Sequence, residues 1–72
     1  MAYDYSKLLG RIVERHGTQG KFSEALGLSE RSLSLKLNGK VGFKQDEIRR
    51  ICSLLELKDT DIPSYFFTLK VQ

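Results

Sequence analysis

The sequence predicts an all-α protein, a compact five-helix bundle with a short extended C-terminal tail, and three observations carry that prediction. Apolar residues recur at helical spacing, at Leu8, Leu9, Ile12 and Val13 and again at Ile48, Ile51, Cys52 and Leu55, and such stripes mark amphipathic helices. Gly17, Gly27 and Asn38-Gly39 follow the periodic stretches, where a left-handed residue ends a helix. Thr18, Ser29 and Asp59 stand ahead of them as side chains able to accept a hydrogen bond from a helix's first free N–H groups.

The first helix is expected over about residues 5 to 15, capped by Asp4 or Ser6, with Tyr5, Leu8, Leu9, Ile12 and Val13 facing inward. A second starts after Thr18 and puts Phe22, Ala25 and Leu26 on one face. Gly20 inside it costs up to roughly 1 kcal/mol against Ala, which means either a close backbone approach or simple tolerance. Gly27 breaks this helix, and Ser29 caps a third in which Leu28 and Leu33 form a hydrophobic staple. The third ends at Asn38-Gly39, and a fourth runs over about residues 45 to 56, with Phe43 and Ile48 as its staple. Asp59 is expected to cap a short fifth helix that Pro63 bends or ends. Phe67, Leu69 and Val71 then alternate with Phe66, Thr68 and Lys70, a strand period carried by three pairs.

Seventy-two residues make one domain, residues 1–72. A chain this short buries only roughly 60% of its unfolded surface. Cys52 is the only cysteine and His16 the only histidine, which excludes an internal disulfide and leaves no zinc site. No segment is apolar over a membrane's thickness, and "MAYDYSKLLG" has neither the basic opening nor the apolar stretch of a secretory signal, so a cytoplasmic protein is expected. No catalytic Ser, His and Asp spacing and no phosphate-cradling loop occurs; an enzyme, a cofactor and a small-molecule ligand are not expected. Asp46 and Glu47 fall in the first turn of the fourth helix, where the helix dipole accounts for them.

The net charge of +3 is uneven: residues 1 to 45 carry eight Lys/Arg against four Asp/Glu, residues 46 to 72 four against five. The first part is therefore the side to meet a polyanion, with ordinary charge scatter as the plain alternative. The second helix, a glycine turn and the third helix, about residues 18 to 38, form a helix-turn-helix. In its DNA-binding use the second of the two helices enters the major groove.

"TQGKFSEALGLSERSLSLKLNGK", residues 18 to 40, resembles the helix-turn-helix of phage Cro and repressor proteins and their Xre-like bacterial relatives. Thr18-Gln19, Glu24, Leu26-Gly27, Ser29, Leu33 and Asn38-Gly39 carry the resemblance. "SLSLKLNGK" and the "YFF" near the end look like small regulators from phages of Gram-positive bacteria. The resemblance implies a lambda-repressor-like fold and a transcriptional regulator. Carried over by position, Glu30, Arg31, Ser34 and Leu35 would face bases, and Gln19, Lys36, Asn38, Lys40 and Lys44 would hold phosphates. Arg31 and Lys36 also admit a plainer reading as solvated surface. Two departures stand out: Gly20 replaces a usual helix former, and Leu35 a polar base reader.

The expected function is sequence-specific binding of a two-fold double-stranded DNA operator by a homodimer that excludes polymerase. Tyr65, Phe66 and Phe67 offer more aromatic surface than so small a core can take, and with Leu69 and Val71 they form the expected dimer contact. The rival is a protein-interaction module of the same fold, such as an antitoxin or anti-repressor. The sequence names neither the operator nor the promoter.

Overall fold

Five α-helices and one 3-10 turn account for the regular structure in the computed structural model, which describes residues 3 to 71. They are α1 (Ser6–His16), α2 (Gln19–Leu26), α3 (Glu30–Leu37), α4 (Gln45–Leu55), the 3-10 turn Asp59–Asp61, and α5 (Ile62–Phe66). Thr18 Oγ1 accepts the Lys21 N–H at 3.1 Å and Ser29 Oγ accepts the Ser32 N–H at 3.1 Å, so both expected caps are made. Gly27 takes the left-handed conformation at φ 85° and lets α2 reverse into α3.

Eight side chains drawn from all five helices form the core: Leu8, Ile12, Phe22, Leu26, Leu33, Ile51, Leu55 and Phe66. The buried stripe of α1 is narrower than expected. Leu8 and Ile12, one turn apart, point inward, while Leu9 and Val13, each one residue further on, rotate to the surface. In α2 the face is centred on Phe22 and Leu26 and takes Ser23 with it, leaving Ala25 exposed. Ser23 meets the cost of burial by donating its hydroxyl to the Gly20 carbonyl at 2.7 Å.

Two arginines tie the helices together at their C-terminal ends, where the last carbonyls have no partner within the helix. Arg50 Nη1 donates to the Leu26 carbonyl at 2.9 Å, and Arg11 donates to the Leu55 carbonyl through Nε at 3.3 Å and Nη2 at 3.1 Å. Glu56 ends α4 in a left-handed conformation, φ 55°, without a glycine, and pairs with Arg15 at 3.2 Å.

The two ends of the chain depart from expectation. Tyr5 occupies the cap position of α1, and Asp4 instead accepts from the Ser6 hydroxyl at 2.6 Å and the Ser6 N–H at 2.9 Å. Asp59 opens the 3-10 turn and does not cap a helix; Asp61 Oδ2 caps by accepting the Lys58 N–H at 3.0 Å. Pro63 sits in the first turn of α5, where its missing N–H has no helical partner to lose, so it starts the helix and does not end it. The alternating tail yields one antiparallel bridge, Tyr3 to Leu69, with the Asp4 N–H donating to the Thr68 carbonyl at 2.6 Å. Its backbone pairs with its own N-terminal segment.

Candidate functional site

The helix-turn-helix forms as expected, but its outer face is electrically neutral. Its exposed charged residues are Lys21 and Arg31 against Glu24 and Glu30. Glu30 also lies across the start of α2: a β-carbon on Gly20 would stand 2.9 Å from Glu30 Oε2. Gly20 thus marks a close approach, and the group approaching is a carboxylate, at the helix end where an anion would otherwise sit. DNA affinity rests largely on phosphate neutralisation; within the helix-turn-helix the exposed charges cancel, and the exposed lysines Lys40 and Lys44 lie just beyond it.

Lys36 is the largest departure among the expected phosphate contacts. It is 6% exposed, with Nζ 2.9 Å from Glu47 Oε1 and 3.0 Å from the Gly42 carbonyl. It is unavailable to a phosphate. Glu47, which the sequence assigns to the first turn of the fourth helix on the strength of the dipole alone, is its buried partner, 4% exposed. Burial works against its charge, but the Lys44 N–H and the Lys36 ammonium prevail and hold its carboxyl below the usual value. Of the other expected contacts, Asn38 spends its side-chain amide on the Ser34 carbonyl at 2.9 Å and the Ser34 hydroxyl at 3.3 Å. Gln19 and Asn38 meet in a depression of about 210 Å³ that also holds Asp4 and Lys70. Lys40, Lys44, Arg31 and Leu35 are exposed.

A second surface, which the sequence reading glimpsed only at its C-terminal end, carries the apolar chemistry. Five of the chain's seven aromatic residues, Tyr3, Tyr5, Phe43, Phe66 and Phe67, line one groove of about 320 Å³ together with Val41 and Ile48. Their rings meet in sequence: Phe67 on Tyr3 at 5.6 Å, Tyr3 on Tyr5 at 6.3 Å, Tyr5 on Phe43 at 5.2 Å, Phe43 on Phe66 at 5.6 Å. The covalent link from Phe66 to Phe67 closes the circuit. Most of these contacts are edge-to-face, the geometry that aligns a positive ring edge with a negative ring face.

The expected dimer residues divide across this surface. Phe66 is a core side chain at 1% exposure, whereas Phe67 is 49% exposed. Tyr65 is half-buried under Lys7, whose ammonium lies 4.8 Å from the ring centre. Leu69 and Val71 are exposed. Phe66 therefore drops out as a contact, since the small core does take it. The groove also connects to α3: the Val41 N–H donates to the Leu35 carbonyl at 3.4 Å, which ties the groove's wall to the end of that helix. Tyr3 and Val41 carry no local signal in the sequence, and Tyr5 and Phe43 are legible there only as a helix-face and a staple residue; no pattern in the sequence brings the four together.

Cys52 is half-buried, and burial, with Asp59 and Asp61 nearby, pushes its thiol up, away from reactivity. Among the described residues no helix is long and apolar enough to cross a membrane.

The family described as "Protein of unknown function (DUF739)" matches residues 1–69, and the chain belongs to it. No curated protein matches the chain. Among solved structures, it is similar to the modulator of repression (MOR) of the temperate bacteriophage TP901-1 from Lactococcus lactis, determined in solution. The two are 58% identical over all of this chain and 97% of that one, with a TM-score of 0.82. This likeness corrects the expectation of an operator-binding, Cro-like repressor: the relative is named for modulating repression, and the neutral helix-turn-helix face agrees with the correction.

Proposed function

We propose that this DUF739 member is an accessory regulator that binds a phage transcriptional repressor and changes the repressor's hold on its operator. The observation that carries the proposal is its similarity, over its whole length, to a phage modulator of repression. The geometry supports a protein partner. Phe67 and Val41 present large apolar side chains to solvent in an aromatic groove, and half-exposed aromatics beside a pocket are the usual anchors of protein interfaces. The partner's complementary feature is an apolar or aromatic side chain that fills the groove, on a repressor surface carrying acidic residues to face Lys40 and Lys44 on the loop beside it.

In this reading the helix-turn-helix is a scaffold. α2 and α3 position the loop that walls the groove, and Glu30 and Glu24 keep their outer face neutral. No catalytic step is involved.

The test uses the purified protein, the repressor of the phage genome that carries it, and that repressor's operator as a labelled duplex. The protein alone is expected to show no preference for operator over random DNA. Titrated into the repressor–operator complex, it should alter operator occupancy saturably, and calorimetry should show a defined complex with the repressor. Selective operator binding by the protein alone, with no repressor complex, would sink the proposal.

A further inference from the structure

We propose that the buried Lys36–Glu47 pair is the positioning device of the docking groove, holding the wall that a partner must meet. The inference rests on the reading of the groove as a docking surface. The wall is the loop between α3 and α4, which contributes Gly39, Val41, Gly42 and Phe43 to the groove. Two of those residues are glycines, and a glycine-bearing loop has much conformational freedom to lose.

The pair removes that freedom at one point. Lys36 Nζ, arriving from α3, donates to the Gly42 carbonyl at 3.0 Å and reaches Glu47 Oε1 at 2.9 Å. The same carboxylate oxygen accepts the Lys44 N–H at 2.8 Å. One ammonium and one carboxylate thus tie the end of α3, the middle of the loop, its last residue and the first turn of α4. Phe43, held between Gly42 and Lys44, is placed against Tyr5 and Phe66.

An ion pair kept for stability alone would be a poor choice here. Apolar residues of similar volume commonly replace a buried pair without loss, whereas they supply no anchor for a loop carbonyl. The carbonyl anchor is what an apolar replacement loses, and the anchored segment is the groove wall.

The test is the double variant Lys36→Met with Glu47→Leu. It should remain folded, yet the Lys40 and Val41 amides, whose own acceptor at Leu35 is untouched, should exchange about tenfold faster by local opening. Amides of α1 should keep their protection. Dissociation of the repressor complex should quicken about fivefold, because changes at one interface appear mainly in the off-rate. Unchanged exchange overturns the proposal, and so does faster exchange with parental repressor binding. If the double variant fails to fold, Glu47→Gln, which keeps an oxygen for the Lys44 N–H, is read by the same two measurements. If the parent protein itself does not bind the repressor, the docking reading falls, and the exchange result alone decides whether the pair sets the loop.

Discussion

Glu30 of α3 and Gly20 of α2 meet so closely that a β-carbon on Gly20 would stand 2.9 Å from the Glu30 carboxylate oxygen. Their contact lies at the start of α2, beside Gln19, which the sequence resemblance offers as a phosphate contact. With that carboxylate placed there and Lys36 turned into the core, the exposed charges of the helix-turn-helix itself, Lys21 and Arg31 against Glu24 and Glu30, cancel.

Gly20→Ala tests how firmly that carboxylate is held. Alanine gains up to about 1 kcal/mol in a helix interior over glycine. The obstacle is the far end of the exposed, flexible Glu30 side chain, which can swing into solvent. The variant is expected to melt about 4–8 °C higher per kcal/mol gained in a domain of this size. A lower melting temperature would show that Glu30 is pinned across the start of α2.

The helices were legible in the sequence because each has a local cause. Thr18, Ser29 and Gly27 act within one turn of the positions they cap or end, and Leu8, Ile12, Ile51 and Leu55 follow the helical period. Lys36 stands three residues after Leu33, on the inner face of α3, but its charge suggests a surface residue, and its partner, Glu47, lies across a loop whose path local pattern does not encode. Phe66 and Phe67 are neighbours of identical chemistry with opposite fates, set by how α5 packs. The groove is assembled from the N-terminal segment, the loop before α4 and the end of α5, so no single stretch announces it. Residue chemistry likewise does not separate a DNA-reading helix-turn-helix from one that serves as a scaffold.

Stability should fall in acid, and the sign follows from Glu47. Its folded carboxyl is held below the usual value of 4.5, so the unfolded chain binds a proton more readily than the folded one. The stabilisation is complete above the unfolded value and is lost as pH falls through the folded one. Asp4, lowered by its hydrogen bonds from Ser6, acts in the same direction. Melting temperature should stay level from about pH 7 to about pH 5 and decline below that. The double variant Lys36→Met with Glu47→Leu should decline less steeply. An identical acid profile in parent and variant would remove Glu47 from the account.

Phe66 and Phe67 should separate folding from binding. Phe66 is fully enclosed among Leu8, Ile12 and the other core side chains, so Phe66→Ala should cost about 3–5 kcal/mol, a large part of a small domain's stability. Phe67 is half-exposed and touches Tyr3 edge to face at 5.6 Å, so Phe67→Ala should cost only about 1 kcal/mol, the worth of one such aromatic pair. On the repressor the ranking should invert. An exposed ring at the rim of a docking groove is an anchor, and its truncation should weaken the complex about 10- to 100-fold. Thermal melts of both variants, with calorimetric titration of the folded Phe67→Ala protein into the repressor, provide the comparison. Parental affinity in Phe67→Ala would show that the repressor docks elsewhere and that the aromatic circuit serves the fold alone.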